Sequence, residues 1–159
     1  MSSSFRFSNK TLTRGSPRTP HVRPSTCSAS SVSSCSVVRS TSATSPISYS
    51  GSTNLNAELR DLFVDFGTGG GGAPAISIDN TGTGRFTLDT VNVKGAGGAT
   101  TGDAIGVKVT GAGNVTIKVS TIDSGLTGTA TGASAYGILA NSSANLAISS
   151  STVTARDGS

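Results

Sequence analysis

The sequence predicts an all-β protein, a right-handed parallel β-helix of about three rungs. A short N-terminal capping helix and a disordered N-terminal tail precede the rungs. Three observations predict it. A segment of about 30 residues recurs three times near the C-terminus, apolar residues alternate within each copy, and glycines and polar residues recur at the turns.

The copies read AISIDNTGTGRFTLDTVNV (75–93), AIGVKVTGAGNVTIKVSTI (104–122) and AYGILANSSANLAISSSTV (135–153). Aligned, they give five apolar columns: Ile76/Ile105/Tyr136, Ile78/Val107/Ile138, Phe86/Val115/Leu146, Leu88/Ile117/Ile148 and Val93/Ile122/Val153. Gly82/Gly111/Ser142 and Gly84/Gly113/Ala144 mark the turns. Successive side chains of a strand point to opposite faces, so alternation means a strand with one buried side. Each copy offers two clear strands and a short third. The loop before the third copy is longer, 123–134 against 94–103. A small β-sandwich is the alternative, since it also uses many short strands and turns; it does not predict repeated columns.

Charge gives an independent register. Stacking the first two copies sets Asp79 on Lys108, Asp89 on Lys118 and Lys94 on Asp123. Opposite charges across strands are favourable and like charges are not.

Residues 54–66 read NLNAELRDLFVDF. Leu55, Leu59, Leu62, Phe63 and Phe66 fall at helical spacing, and Gly67 supplies a stop. The spacing predicts a helix that lays Leu59, Leu62, Phe63 and Phe66 over the open end of the repeats. Repeat arrays need such caps because end strands expose unpaired edges. The expected layout is a tail over 1–50, helix and Gly-rich joint over 51–72, and repeats over 73–159.

The tail is rich in Ser, Arg and Pro. It carries Arg6, Lys10, Arg14, Arg18, Arg23 and Arg39 with no acid, hence +6. Residues 51–159 carry six basic and eight acidic residues, hence −2, so the net +4 belongs to the tail. Such a segment cannot bury enough apolar surface to order itself. Its basicity allows contact with nucleic acid or an anionic membrane surface. It also resembles an organelle transit peptide. Six charges over 50 residues with few aromatics favour a solvated tail over specific nucleic-acid binding. Cys27 and Cys35 lie there too, so the repeats need neither disulfide nor cysteine metal site. No apolar run approaches the ~20 residues of a membrane helix. The first 40 residues lack the ~7–15-residue apolar stretch of a secretory signal.

Catalytic constellations are not apparent. The acids Asp79, Asp89, Asp103, Asp123 and Asp157 share no column, whereas calcium binding or acid/base work needs clustered carboxylates. His21, the single histidine, lies in the tail. Tyr136 falls in an apolar column, which makes it a packing residue. The glycine run 69–72 lacks the Lys-Ser/Thr of a phosphate loop. Asn9, Asn114 and Asn141 begin glycosylation sequons, which a Ser/Thr-rich chain produces by chance. The expectation is no catalytic, cofactor or metal residue.

The pattern A-[IY]-G-[VI], a Gly/Ser/Asn turn, N-x-x-[IL] and S-T-[IV] is carried by Ala104–Val107, Asn114–Ile117 and Ser120–Ile122. It returns in Ala135–Ile138, Asn145–Ile148 and Ser151–Val153. This pattern resembles bacterial autotransporter passenger domains, adhesin-like β-helices with a pectin-lyase-like fold. The resemblance covers residues 73–159. It implies a non-catalytic structural or adhesive segment of a cell-surface, outer-membrane or secreted protein. Host surfaces, carbohydrate or neighbouring rungs would be the partners. A secretory signal and a translocator barrel, which such proteins carry, are not seen, so a passenger fragment is expected. A remnant of a pectin-lyase-like carbohydrate-active enzyme is the alternative function, and nucleic-acid binding through the tail is another.

Overall fold

The computed structural model describes residues 4–7, 37–39, 45–52, 54, 56–66, 72–95, 102–125, 134–141 and 145–156. Among them every regular element is a strand. In chain order these are Ser4–Phe7 (β1), Val37–Arg39 (β2), Ile47–Gly51 (β3), Ala57–Asp65 (β4), Pro74–Asn80 (β5) and Arg85–Lys94 (β6). Ala104–Thr110 (β7), Asn114–Lys118 (β8), Thr121–Asp123 (β9), Ala135–Ala140 (β10), Asn145–Ser149 (β11) and Thr152–Thr154 (β12) follow.

The strands alternate between two sheets. One has the order β1-β3-β5-β7-β10, the other β11-β8-β6-β4-β2, with β9 beside β6 and β12 beside β9. Among the described strands only β1–β3 is antiparallel; the other pairs are parallel. These parallel ladders replace the antiparallel pairing of the β-sandwich alternative.

The repeat starts earlier than the sequence reading placed it. Ile47 pairs with Ile76 and Tyr49 with Ile78, while Leu59 pairs with Leu88 and Val64 with Val93. Strands β3 and β4 therefore form a further repeat, upstream of the three. The expected helix over 54–66 does not exist, because Ala57–Asp65 is a strand. Its false helical signature has a local cause. Asp61 adopts φ 52°, in the left-handed region. That bend inserts one residue into the alternation, so Leu59 and Leu62 both face inward three apart. Thr90, Val119 and Ser150, at φ 56°, 51° and 47°, bend each later repeat at the equivalent place.

The expected tail is also revised. Residues 4–7, 37–39 and 47–51 are strands, and β1 and β2 occupy the N-terminal edges of the two sheets. Strands, not a helix, stand at that end. His21, Cys27 and Cys35 lie outside the described residues.

The core runs through both sheets as stacked columns. Phe86/Val115/Leu146, Leu88/Ile117/Ile148 and Val93/Ile122/Val153 stand as the sequence predicts. So do Ile105/Tyr136 and Val107/Ile138. The first copy slips by two residues in its first strand: Ile76 stands on Val107 and Ile78 on Val109. A turn-length difference causes the slip. Five residues, 80–84, separate Asp79 from Arg85, but only three, 111–113, separate their neighbours Thr110 and Asn114.

Asn80 takes up the difference. Its buried side chain donates through Nδ2 to the carbonyls of Gly84 and Asn114, both at 2.9 Å, and accepts from the Gly82 amide at 3.3 Å. The shorter turn packs on it without side chains. A Cβ at Gly113 would lie 2.5 Å from Asn80 Cγ. Tyr49 and Phe86 close the core toward the N-terminal end, with ring centroids 4.4 Å apart.

Candidate functional site

Outward-facing side chains form columns as regular as those of the core. Neighbouring strands lie about 4.8 Å apart, so equivalent side chains recur at that interval. Thr87 stands beside Thr116, and Asn92, Thr121 and Thr152 form a further file.

The most organised column carries charge. Arg60, Asp89 and Lys118 stand in register on β4, β6 and β8. Asp89 Oδ2 accepts from Arg60 Nη2 at 3.0 Å and Lys118 Nζ at 3.1 Å, and Thr90 Oγ1 donates to Oδ1 at 3.0 Å. Glu58 Oε1 accepts from the same Arg60 Nη2 at 2.9 Å. The Lys118 hydrogen bond, helped by Thr90 and the Arg60 charge, lowers the Asp89 pKa against the opposing effect of burial.

The sequence-predicted pair Asp89–Lys118 is thus brought together. Arg60 was missed because its segment reads as helical; its offset of 29 from Asp89 was the available signal. Lys94 stands opposite Asp123 in register, and the Asp123 carboxylate accepts from Arg156 Nε at 3.0 Å and the Gly125 amide at 2.8 Å. Asp79 does not meet Lys108. The two-residue slip sets it on Thr110, whose hydroxyl donates to it at 3.1 Å. Asp103 accepts from the Ser134 amide at 3.1 Å. Asp157 is outside the described residues. Among the described residues no three metal-capable side chains cluster, and no helix is long and apolar enough to cross a membrane.

Polar columns also repair the backbone at the bends. Ser120 and Ser151 occupy the position held by Leu62 and Val91 in earlier repeats. Ser120 Oγ accepts from the Val91 amide at 3.1 Å and donates to the Lys118 carbonyl at 2.8 Å. Ser151 Oγ repeats both contacts, toward the Ser120 amide at 3.1 Å and the Ser149 carbonyl at 2.7 Å. Asn145 Nδ2 donates to Asn114 Oδ1 at 2.6 Å, so this sequon asparagine is tied into a ladder. Asn141 is exposed, with its backbone amide bonded to the Val109 carbonyl at 2.9 Å. Tyr136 is half-buried beside Ile105.

The sequence motif has a structural explanation. A Cβ at Gly106 would lie 2.8 Å from Ile122 Cγ2, and one at Gly137 would lie 2.5 Å from Val153 Cγ1. The glycine of A-[IY]-G-[VI] and the apolar residue of S-T-[IV] are therefore in contact. The carboxylates of Asp79, Asp89, Asp103 and Asp123 are each held by a cation, a hydroxyl or an amide and stand in separate columns. The chemistry this supports is display of fixed hydroxyls, amides and paired charges. No protein-family model, curated protein or solved structure matches the chain.

Proposed function

We infer that this chain is a non-catalytic structural or adhesive segment, a right-handed parallel β-helix whose outer columns present polar groups to a partner. The carrying observation is the column order itself. Inward and outward side chains both stack in register across β4, β6 and β8, and Asp89 is neutralised there by Arg60 and Lys118. The handedness follows from the strong preference of parallel crossover connections for the right hand. The autotransporter-passenger resemblance supports a cell-surface or secreted setting, with host surface or carbohydrate as partner. The carbohydrate-active remnant is less well supported, since paired carboxylates on one stretch of surface are what such chemistry requires.

The test is direct. Beads carrying the full chain are measured for retention on arrays of glycans and extracellular-matrix proteins, beside beads carrying a Thr87→Glu/Thr116→Glu/Thr121→Glu variant. Retention by the wild type that the variant loses supports display by the outer columns. Absence of retention on every surface, or hydrolysis of polygalacturonate with calcium, sinks the reading.

A further inference from the structure

One file of outward side chains combines an aromatic ring with hydrogen-bonding groups. Phe63, Asn92, Thr121 and Thr152 stand in register on β4, β6, β9 and β12. They run along the side of the stack at the strand spacing of about 4.8 Å. Asn92, Thr121 and Thr152 are exposed, and Phe63 is partly exposed. Phe63 is not part of the core that holds its neighbours Leu62 and Val64. The helical spacing assigned it to a cap; the strand turns it outward instead, because Val64 shares the inward face with Val93. Beside this file runs a second one, of Asp65, Lys94, Asp123 and Thr154.

We propose that this file is the binding track of an uncharged, extended β-linked glycan lying along the stack. The proposal rests on the adhesive reading above and narrows its partner. Three observations choose the occupant. The first is chemistry. A pyranose presents C–H groups on its faces and hydroxyls on its rim. The face of an aromatic ring is negative and attracts such C–H groups, while the Asn92 amide and the Thr121 and Thr152 hydroxyls both donate and accept toward sugar hydroxyls. The second is spacing. An extended β-linked chain advances by close to one strand spacing per sugar, so successive sugars meet Phe63, Asn92, Thr121 and Thr152 in turn. The third is charge. Asp65 and Asp123 flank the track with Lys94 between them, and Arg156 is engaged by Asp123. A polyuronate or sulfated chain would carry its anions past both carboxylates, and like charges side by side oppose binding. The outward face before the bend lacks this combination: Arg60, Asp89 and Lys118 satisfy one another there, and its files Glu58/Thr87/Thr116 and Arg60/Asp89/Lys118 hold no aromatic residue.

The experiment is isothermal titration calorimetry of the full chain with cellohexaose and chitohexaose, with polygalacturonate as the acidic control. The variants are F63A, F63W and the double substitution N92A/T121A. All three positions face outward, and circular dichroism verifies each fold. The wild type is expected to bind at least one of the neutral hexasaccharides and to prefer it to polygalacturonate. F63A should weaken that binding by about tenfold or more, as truncation of an aromatic anchor does. N92A/T121A should weaken it several-fold, and F63W should keep it. Should F63A lose its fold, F63W and N92A/T121A decide. A wild type that binds neither hexasaccharide overturns the proposal, as does one that binds polygalacturonate equally well. Binding that N92A/T121A leaves unchanged, or that F63W abolishes, overturns it too. A chain that ignores both glycans yet is retained on a matrix protein loses the track and keeps the adhesive reading; retention on no surface removes both.

Discussion

The repeat built from β5 and β6 and the one built from β10, β11 and β12 share their column chemistry but not their burial. Leu88 and Val93 are fully buried, whereas Ile148 and Val153, in the same columns, are nearly half exposed. The residues are interchangeable; the neighbours are not. A repeat in the middle of the stack is covered on both sides, and the last is covered on one. Burial here is a property of the stack, as expected where each unit contacts only its neighbours.

The largest test of this contrast is Phe86→Ala set against Leu146→Ala, the same column in the two repeats. Phe86 is fully buried, so its loss should cost about 3–5 kcal/mol in urea unfolding. Leu146 is only partly buried, and its loss should cost well under half as much. Equal costs would mean that the last repeat is covered in solution.

Next comes Gly106→Ala. The added Cβ would lie 2.6 Å from the Gly137 carbonyl oxygen and 3.0 Å from that of Asp123, both backbone. Overpacking of this kind costs about 1–3 kcal/mol, readable as a lower thermal midpoint. Gly137→Ala meets the Val153 side chain at 2.5 Å on the less confined repeat, so it should cost less.

Asp89→Asn should destabilise by about 1–2 kcal/mol at neutral pH, because Arg60 and Lys118 lose the negative charge they share. The folded pKa of Asp89 is lowered, so its contribution is present above the unfolded carboxylate value of about 3.9. It is lost as pH falls through the folded value. The stability gap between wild type and variant should therefore close below about pH 4. A gap that persists in acid would show that the carboxylate charge is not its source.

The smallest expected effect is a gain. Val119 is β-branched, 58% exposed and held at φ 51°. Left-handed backbone costs an L-residue roughly 1–2 kcal/mol, and glycine escapes that cost while losing more entropy on folding. Val119→Gly should stabilise by up to about 1 kcal/mol; a lower unfolding midpoint would mean that the valine side chain packs on something.

Much of the strand content was legible because alternation is local. Phe86 and Leu88, Val115 and Ile117, and Leu146 and Ile148 are each two apart, which only a strand places on one face. The Asp89–Lys118 neighbour was legible for a related reason, since the offset of 29 between β6 and β8 carries their outward residues along with the inward ones. The first repeat was hidden by its bend. Asp61 turns i+2 into i+3, and Leu59, Leu62 and Phe66 then read as one face of a helix. The Asp79–Lys108 pairing failed on turn length, which no pattern of apolar residues reports.

The sequence by itself determined the strands of the last three repeats, the offset between β6 and β8 and most of the residues that share a column, because all three are periodic in the chain. Tertiary structure alone decided where the repeat begins, how the turn at Asn80 absorbs two residues, and which members of a column are dry. Those outcomes depend on backbone conformation at single residues and on what lies above and below each strand. Asp61 shows the first and Ile148 the second: neither the bend at one nor the exposure of the other is written in the residue itself.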